Sequence, residues 1–166
     1  MQRKLLFCLF VLGATLATAA PTFTIDLNAL PEAVASRIHA LGDKYVIDHR
    51  INPFYLRGDF DGDGRVDYAV LLSERRTGKR GFVVLLSSQP RPQLLGAGTR
   101  VQYDSAKWDD LNFDSWRVYG KGKIDAGAGF EAPRGKGELI LIQKTESASG
   151  FFRWSGTQFT WVQQGD

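Results

Sequence analysis

Two neighbouring segments of the chain read Tyr68-Ala69-Val70-Leu71-Leu72-Ser73-Glu74 and Phe82-Val83-Val84-Leu85-Leu86-Ser87-Ser88. Each contains a run of consecutive apolar residues, which is typical of a β-strand that is covered on both faces. The connection from 75 to 81 is polar and contains glycine, as hairpin turns do. The two segments therefore predict an antiparallel strand pair in the middle of a β-sheet.

Other short segments rich in aromatic and β-branched residues also predict strands. They span residues 54–60, 138–144, 150–154 and 158–163, and the first strand of the central pair extends over 66–75. In the C-terminal part, 150–154 and 158–163 are the final two strands. The last two are joined by Ser155-Gly156-Thr157, which has the length of a hairpin turn. We expect a C-terminal hairpin whose aromatic side chains are mostly buried. The glycine-rich, basic segment 120–137 predicts a long surface loop.

One helix is predicted near the N-terminus, over residues 30–41. Asn28 could cap it, Pro31 suits its first turn, and Gly42 would end it. Its apolar face would consist of residues at helical spacing, namely Leu30, Val34, Ile38 and Leu41. We therefore expect residues 21–166 to form a single α+β domain, with this N-terminal helix packed on a curved, mainly antiparallel β-sheet.

The first 20 residues have the pattern of a secretory signal peptide. Arg3 and Lys4 precede an apolar run, and Ala17-Thr18-Ala19 is a small-residue cleavage pattern. The run is about a dozen residues long, shorter than the roughly 20 that a membrane-spanning helix needs. We expect a periplasmic or secreted product without a transmembrane segment.

Removal of this segment changes the charge and the cysteine content. The formal net charge of the whole chain is +3, so loss of Arg3 and Lys4 leaves +1, and Cys8 is the only cysteine. A nearly neutral chain provides no basic surface field for nucleic acid. The expected partner is therefore an extracytoplasmic protein or glycan, and not nucleic acid.

The chain contains one concentrated group of carboxylates, in Asp59-Phe60-Asp61-Gly62-Asp63-Gly64-Arg65-Val66-Asp67. Aspartates at positions 1, 3, 5 and 9, with a backbone carbonyl at position 7, supply the hard oxygen ligands that calcium prefers. Glycine at position 6 permits the positive φ of a sharp turn. The predicted metal ligands are thus the side chains of Asp59, Asp61, Asp63 and Asp67 and the carbonyl of Arg65.

The same loop resembles the calcium loop of FG-GAP/VCBS repeats, the blades of integrin-type β-propellers. Position 12 of the loop is Val70 rather than glutamate, so the pattern is not an EF-hand. A propeller needs at least four blades, and this chain is too short for them. As a whole it looks like small secreted bacterial proteins of an uncharacterised family that carry one such loop and end in a tryptophan-rich hairpin, a resemblance that implies no activity.

Two alternatives to this calcium site remain open, as does a second ion site elsewhere in the chain. The loop could be an acidic turn in which each aspartate bonds nearby backbone, or its ion could be magnesium. A degenerate second ion site could lie at Asp110-Leu111-Asn112-Phe113-Asp114-Ser115. For that segment we favour an exposed loop with Leu111 and Phe113 turned inward.

Few residues offer catalytic chemistry. His39 and His49 are the only histidines, and we expect structural or solvated roles for both. No Gly-x-Ser-x-Gly nucleophile motif is present. The leading hypothesis is a non-catalytic, calcium-binding interaction module. The alternatives are a calcium-dependent hydrolase of cell-envelope polysaccharide or peptidoglycan, or an inhibitor of such an enzyme, since residues 147–152 are similar to the serine-glycine motif of bacterial c-type lysozyme inhibitors.

Overall fold

The computed structural model describes residues 30–103, 106–121 and 135–165. The predicted signal peptide at 1–20 and the predicted cap Asn28 lie outside these residues. Within them the chain forms one helix and eleven strands: α1 (Glu32–His39), β1 (Tyr45–Ile47), β2 (Tyr55–Gly58), β3 (Asp67–Glu74), β4 (Arg80–Leu85), β5 (Gln93–Gly96), β6 (Val101–Tyr103), β7 (Ala106–Trp108), β8 (Ser115–Tyr119), β9 (Leu139–Lys144), β10 (Ala148–Trp154) and β11 (Phe159–Gly165).

The first sheet is antiparallel and has the order β1-β3-β4-β5. Strand β2 also pairs with β3, alongside β1 on the same edge, with Gly58 opposite Asp67. Strands β3 and β4 pair with Val70 opposite Val83. Their predicted central position is confirmed.

The second sheet is also antiparallel and has the order β11-β10-β9-β8. The predicted C-terminal hairpin is confirmed, with Phe151 opposite Val162 and Trp154 opposite Phe159. Strands β6 and β7 form a separate two-stranded ribbon. Of the hairpin aromatics, Phe151, Phe152 and Phe159 are buried.

The two sheets enclose the larger of the hydrophobic clusters. Because side chains alternate along a strand, Leu71 and Phe82 point toward this cluster and meet Phe152 of the second sheet, while Val70 and Val83 point to the opposite face. That opposite face is covered by the helix. The helix contributes Val34 and Ile38 to this cover, and Leu30, just before the helix, belongs to the same cluster. The two apolar faces predicted for β3 and β4 therefore have two different partners.

The predicted α+β class is wrong. The described residues form two packed antiparallel sheets with one eight-residue helix, which is a β-rich fold. The sequence pattern missed β8, which pairs with β9 and extends the C-terminal hairpin into a full second sheet. This sheet, rather than the helix, covers the inner face of the first sheet, and α1 contributes only a short outer cover.

The helix is also shorter than predicted. It begins at Glu32, with Pro31 in the cap position and no side-chain cap, and ends at His39. Gly42 follows with a φ of 74°, the left-handed conformation that glycine adopts readily. No helix in the described ranges is long and apolar enough to cross a membrane.

Candidate metal site

The aspartate loop connects two paired strands. Strand β2 ends at Gly58, β3 begins at Asp67, and these two residues lie opposite each other. Between them the backbone turns sharply, with φ of 78° at Gly62 and 84° at Gly64. These positive values explain why glycine occupies both positions. The sheet thereby holds Asp59 and Asp67 close together at the two ends of the loop.

Three of the predicted ligands come together. Asp59, Asp61 and Asp67 each place a carboxylate oxygen within 4.8 Å of the others. Asp63 is not part of this group among the described residues. Its Oδ1 accepts a hydrogen bond from the backbone N–H of Arg65 at 2.7 Å, and its Oδ2 accepts one from the Ser87 hydroxyl at 3.3 Å.

Asp67 is the innermost of the three, with a relative exposure of 0%. Its Oδ2 accepts the backbone N–H of Phe60 at 2.8 Å, and its Oδ1 accepts that of Ser87 at 2.7 Å. Burial raises the pKa of Asp67 above its ordinary value, although these two N–H donors act in the opposite direction. Asp67 therefore anchors the loop to the end of β4 from within the protein.

The two carboxylate oxygens of Asp59 differ in their contacts with the described residues. Its Oδ2 accepts the backbone N–H of Gly64 at 3.1 Å and also pairs with the ammonium group of Lys121. That ammonium group is the main reason why the pKa of Asp59 lies below its ordinary value. The other oxygen, Oδ1, is buried and has no hydrogen bond of normal geometry with the described residues, although the backbone N–H of Gly62 also contributes to the lowered pKa of this carboxylate. A buried acceptor without a partner is unfavourable, and a cation would relieve it.

Asp61 is bonded within the loop and to the neighbouring turn. Its Oδ1 accepts the backbone N–H of Asp63 at 3.1 Å, and its Oδ2 accepts the Ser88 hydroxyl. The bonds from Asp61 to residue 63 and from Asp63 to residue 65 are Asx turns, the local pattern expected for an acidic turn. The loop is thus folded in part by its own backbone contacts.

The segment before β9 also contacts the loop, which the sequence pattern did not reveal. The backbone N–H of Glu138 donates to the carbonyl of Asp59 at 2.7 Å, and Glu138 Oε2 accepts the N–H of Asp59 at 2.7 Å. A Cβ at Gly137 would lie 2.1 Å from the Phe60 carbonyl oxygen. Gly137 is therefore buried against the loop, while residues 122–134 of the predicted surface loop lie outside the described residues.

The aspartates of the candidate second ion site form bonds with neighbouring strands. Asp110 Oδ1 accepts the backbone N–H of Arg80 at 2.8 Å. The backbone N–H of Thr145 and the ammonium group of Lys144 lower the pKa of Asp114 to about 2. Leu111 and Phe113 are both 3% exposed, so the predicted loop with these two side chains turned inward is confirmed.

The donors of the three-carboxylate group are all oxygens, without histidine or cysteine. Such a set suits a hard cation such as calcium or magnesium and not zinc. No protein-family model, no curated protein and no solved structure matches this chain.

Proposed function

We propose that the protein is a periplasmic or secreted, non-catalytic binding module whose fold is stabilised by one calcium ion. The ion is bound by the side chains of Asp59, Asp61, Asp63 and Asp67 and by the carbonyl of Arg65. The observation that carries this proposal is the buried Oδ1 of Asp59, which has no hydrogen-bond partner in the described part of the chain and lies within a group of three carboxylates. The resemblance of the loop to FG-GAP/VCBS calcium loops is part of the same proposal.

Calcium is preferred over magnesium because the two ions require different coordination geometries. Magnesium requires a near-ideal octahedron and keeps several of its waters, whereas calcium accepts six to eight oxygen ligands in flexible geometry. Asp63 lies outside the three-carboxylate group, so a flexible shell accommodates its recruitment better than a rigid one. Extracellular sites of this kind bind calcium at roughly 0.1–1 mM.

Lys121 is the competitor of the ion. Its ammonium group pairs with Asp59, and 49% of its side chain is exposed. An exposed ion pair of this kind is weak, so a divalent cation bound by several oxygens displaces it. In the absence of the ion, Lys121 partly neutralises the repulsion among the carboxylates.

The role of the ion is structural. Its ligands lie between β2 and β3, and Asp59 is bonded through its backbone to Glu138, the residue before β9. An ion on Asp59 and Asp67 therefore stabilises the junction between the first and the second sheet. Binding that is restricted to the folded chain adds about 2.7 kcal/mol to stability when calcium is at 100 times its dissociation constant.

The test is a calcium titration by calorimetry, together with thermal melting in calcium and in chelator. We expect saturating calcium to raise the melting temperature by about 5–10 °C. Asp61→Asn should weaken calcium binding by about tenfold, because it replaces a charged ligand with a neutral one of nearly the same shape. Asp110→Asn is the matched control and should leave the affinity unchanged. Equal melting temperatures in calcium and chelator, with no binding heat, would show that the loop is only an acidic turn.

A second prediction concerns the competing ammonium group. Lys121→Met should increase calcium affinity by up to about fivefold, because the ion no longer has to displace a cation from Asp59. Lys144→Met is the control, since Lys144 forms a comparable exposed ion pair with Asp114. Competition binding against a fluorescent calcium indicator measures both variants. Unchanged affinity in Lys121→Met would contradict the assignment of Asp59 as a ligand.

No specific observation favours the hydrolase alternative. A glycosidase uses two carboxyl groups that flank the scissile bond. Of the residues that the structure describes, only Asp110 contributes a carboxylate to the groove that contains Trp108 and Trp161. Asp109 is paired with Lys79 at 2.6 Å, and Asp114 with Lys144 at 3.0 Å. These acidic side chains have structural partners that account for them.

A further inference from the structure

A groove with a volume of about 330 Å³ lies beside the ends of β9, β10 and β11. This volume is at the lower end of the range for small-ligand sites, roughly 300–1,000 Å³. Leu111, Phe113 and Ile142 provide buried apolar lining. Trp108 and Trp161 also line the groove, with ring centroids 6.3 Å apart and ring planes at 71°. The two indoles thus form a corner.

Trp161 is held in one orientation by its neighbours. A Cβ at Gly150 would lie 2.3 Å from the Trp161 ring, so the indole packs directly on this glycine. The indole N–H donates to Gln163 Oε1 at 3.0 Å, and Gln163 Nε2 donates to the carbonyl of Gly165 at 2.6 Å. A ring that is already fixed loses little conformational entropy when a ligand packs on it.

Trp108 is the exposed member of the corner. Its side chain is 39% exposed, which makes it one of two large hydrophobic side chains that the described part of the chain presents to solvent. A large exposed aromatic beside a groove is a frequent anchor in binding sites. Together the two tryptophans offer apolar ring surface to a ligand in the groove.

An amide group completes the lining. Asn112 lines the groove, and its side-chain amide forms no hydrogen bond with a residue in the described ranges. This amide provides both donors and an acceptor. Asp110 and Lys144 are the charged residues of the described lining, and the ammonium group of Lys144 is already paired with Asp114. The groove is therefore suited to a neutral ligand with hydroxyl groups and an apolar face.

We propose that this groove binds a neutral pyranose glycan. A pyranose ring has an apolar C–H face, which packs on an aromatic ring, and an edge of hydroxyl groups, which both donate to and accept from amides. The exposed indole of Trp108 and the fixed indole of Trp161 take the apolar face. Asn112 binds the hydroxyl edge.

This inference gives the proposed binding module a ligand, and in that one respect it rests on the proposed function. The aspartate loop adjoins Glu138, before the start of β9, whereas Gln143 and Lys144 line the groove at the end of β9. At about 3.3 Å per residue, five residues place the two sites roughly 16 Å apart along the strand. Glycan binding therefore does not require the ion.

The test is titration of the purified protein with maltotriose, cellotriose and triacetylchitotriose, followed by tryptophan fluorescence and calorimetry. We expect at least one of these neutral trisaccharides to bind, in calcium and in chelator alike. Trp108→Ala and Asn112→Ala should each weaken that binding by about tenfold. Gln158→Ala, in the turn of the same hairpin but outside the groove, should not change it. Melting temperatures of the variants verify that each is folded.

Three results would overturn the inference: no binding of any of the three sugars at about 10 mM, binding that both groove variants leave intact, or tighter binding of the acidic control trigalacturonate. The calcium proposal has separate readouts, namely binding heat and the melting shift. Failure of the calcium test with glycan binding retained would refute only the ion, and the reverse result would refute only the groove.

Discussion

Replacing Phe82 with alanine is expected to lower the free energy of unfolding by about 3–5 kcal/mol. Phe82 is 0% exposed and lies between the two sheets. Its ring centroid is 5.3 Å from that of Phe152, 5.6 Å from that of Trp116 and 6.4 Å from that of Phe113. Removal of this ring leaves a cavity that the surrounding aromatic rings cannot fill. Urea unfolding at equilibrium measures the difference.

Val66→Ala is the control for this prediction. Val66 is apolar but 40% exposed, so its truncation should change stability by no more than about 0.5 kcal/mol. A loss below about 1 kcal/mol for Phe82→Ala would mean that Phe82 does not fill the space between the sheets.

Gly137→Ala is expected to destabilise the protein by about 3 kcal/mol and to weaken calcium binding. The new Cβ would lie 2.1 Å from the carbonyl oxygen of Phe60 and 2.8 Å from that of Asp59. Both atoms belong to the backbone, so a rotamer change cannot relieve the clash. The segment before β9 must move away from the aspartate loop, and the paired hydrogen bonds between Asp59 and Glu138 are then lost. Thermal melting and calcium calorimetry measure the two effects.

Gly135→Ala is a control from the same segment. Its Cβ would meet no atom closer than 3.9 Å, which is ordinary van der Waals contact. We expect its stability and calcium affinity to match those of the unmodified protein. Similar behaviour of the two alanine variants would contradict the close contact of Gly137 with the loop.

The candidate ion site was only partly predictable. The spacing of Asp59, Asp61 and Asp67 is local, and a hairpin connection brings the two ends of the loop together, so sequence alone placed these residues in one site. Lys121 and Glu138 were not predictable, because they are 62 and 79 residues away from Asp59. A pattern of neighbouring residues cannot indicate a contact with a residue so distant in the chain. The position of Asp63 outside the carboxylate group likewise depends on Ser87, at the end of a neighbouring strand.

The sequence by itself determined the local features of this protein. Consecutive apolar residues specified β3 and β4 as central strands, a short glycine-containing turn specified the C-terminal hairpin, and alternating aspartates with glycines specified the acidic loop. These features follow from periodicity and turn chemistry over a few residues.

Only the tertiary structure decided what covers each face of the central strands. Val70 and Leu71 are apolar and point to opposite faces of the sheet, so both faces must be covered. Their apolarity does not distinguish a helix from a second sheet as the cover, since both bury apolar surface equally well. The answer depended on β8, whose Trp116 enters the shared core. The same packing brought Gly137 onto the aspartate loop and Trp108 beside Trp161, because contacts between distant segments are selected by the packing of the whole chain rather than by neighbouring residues.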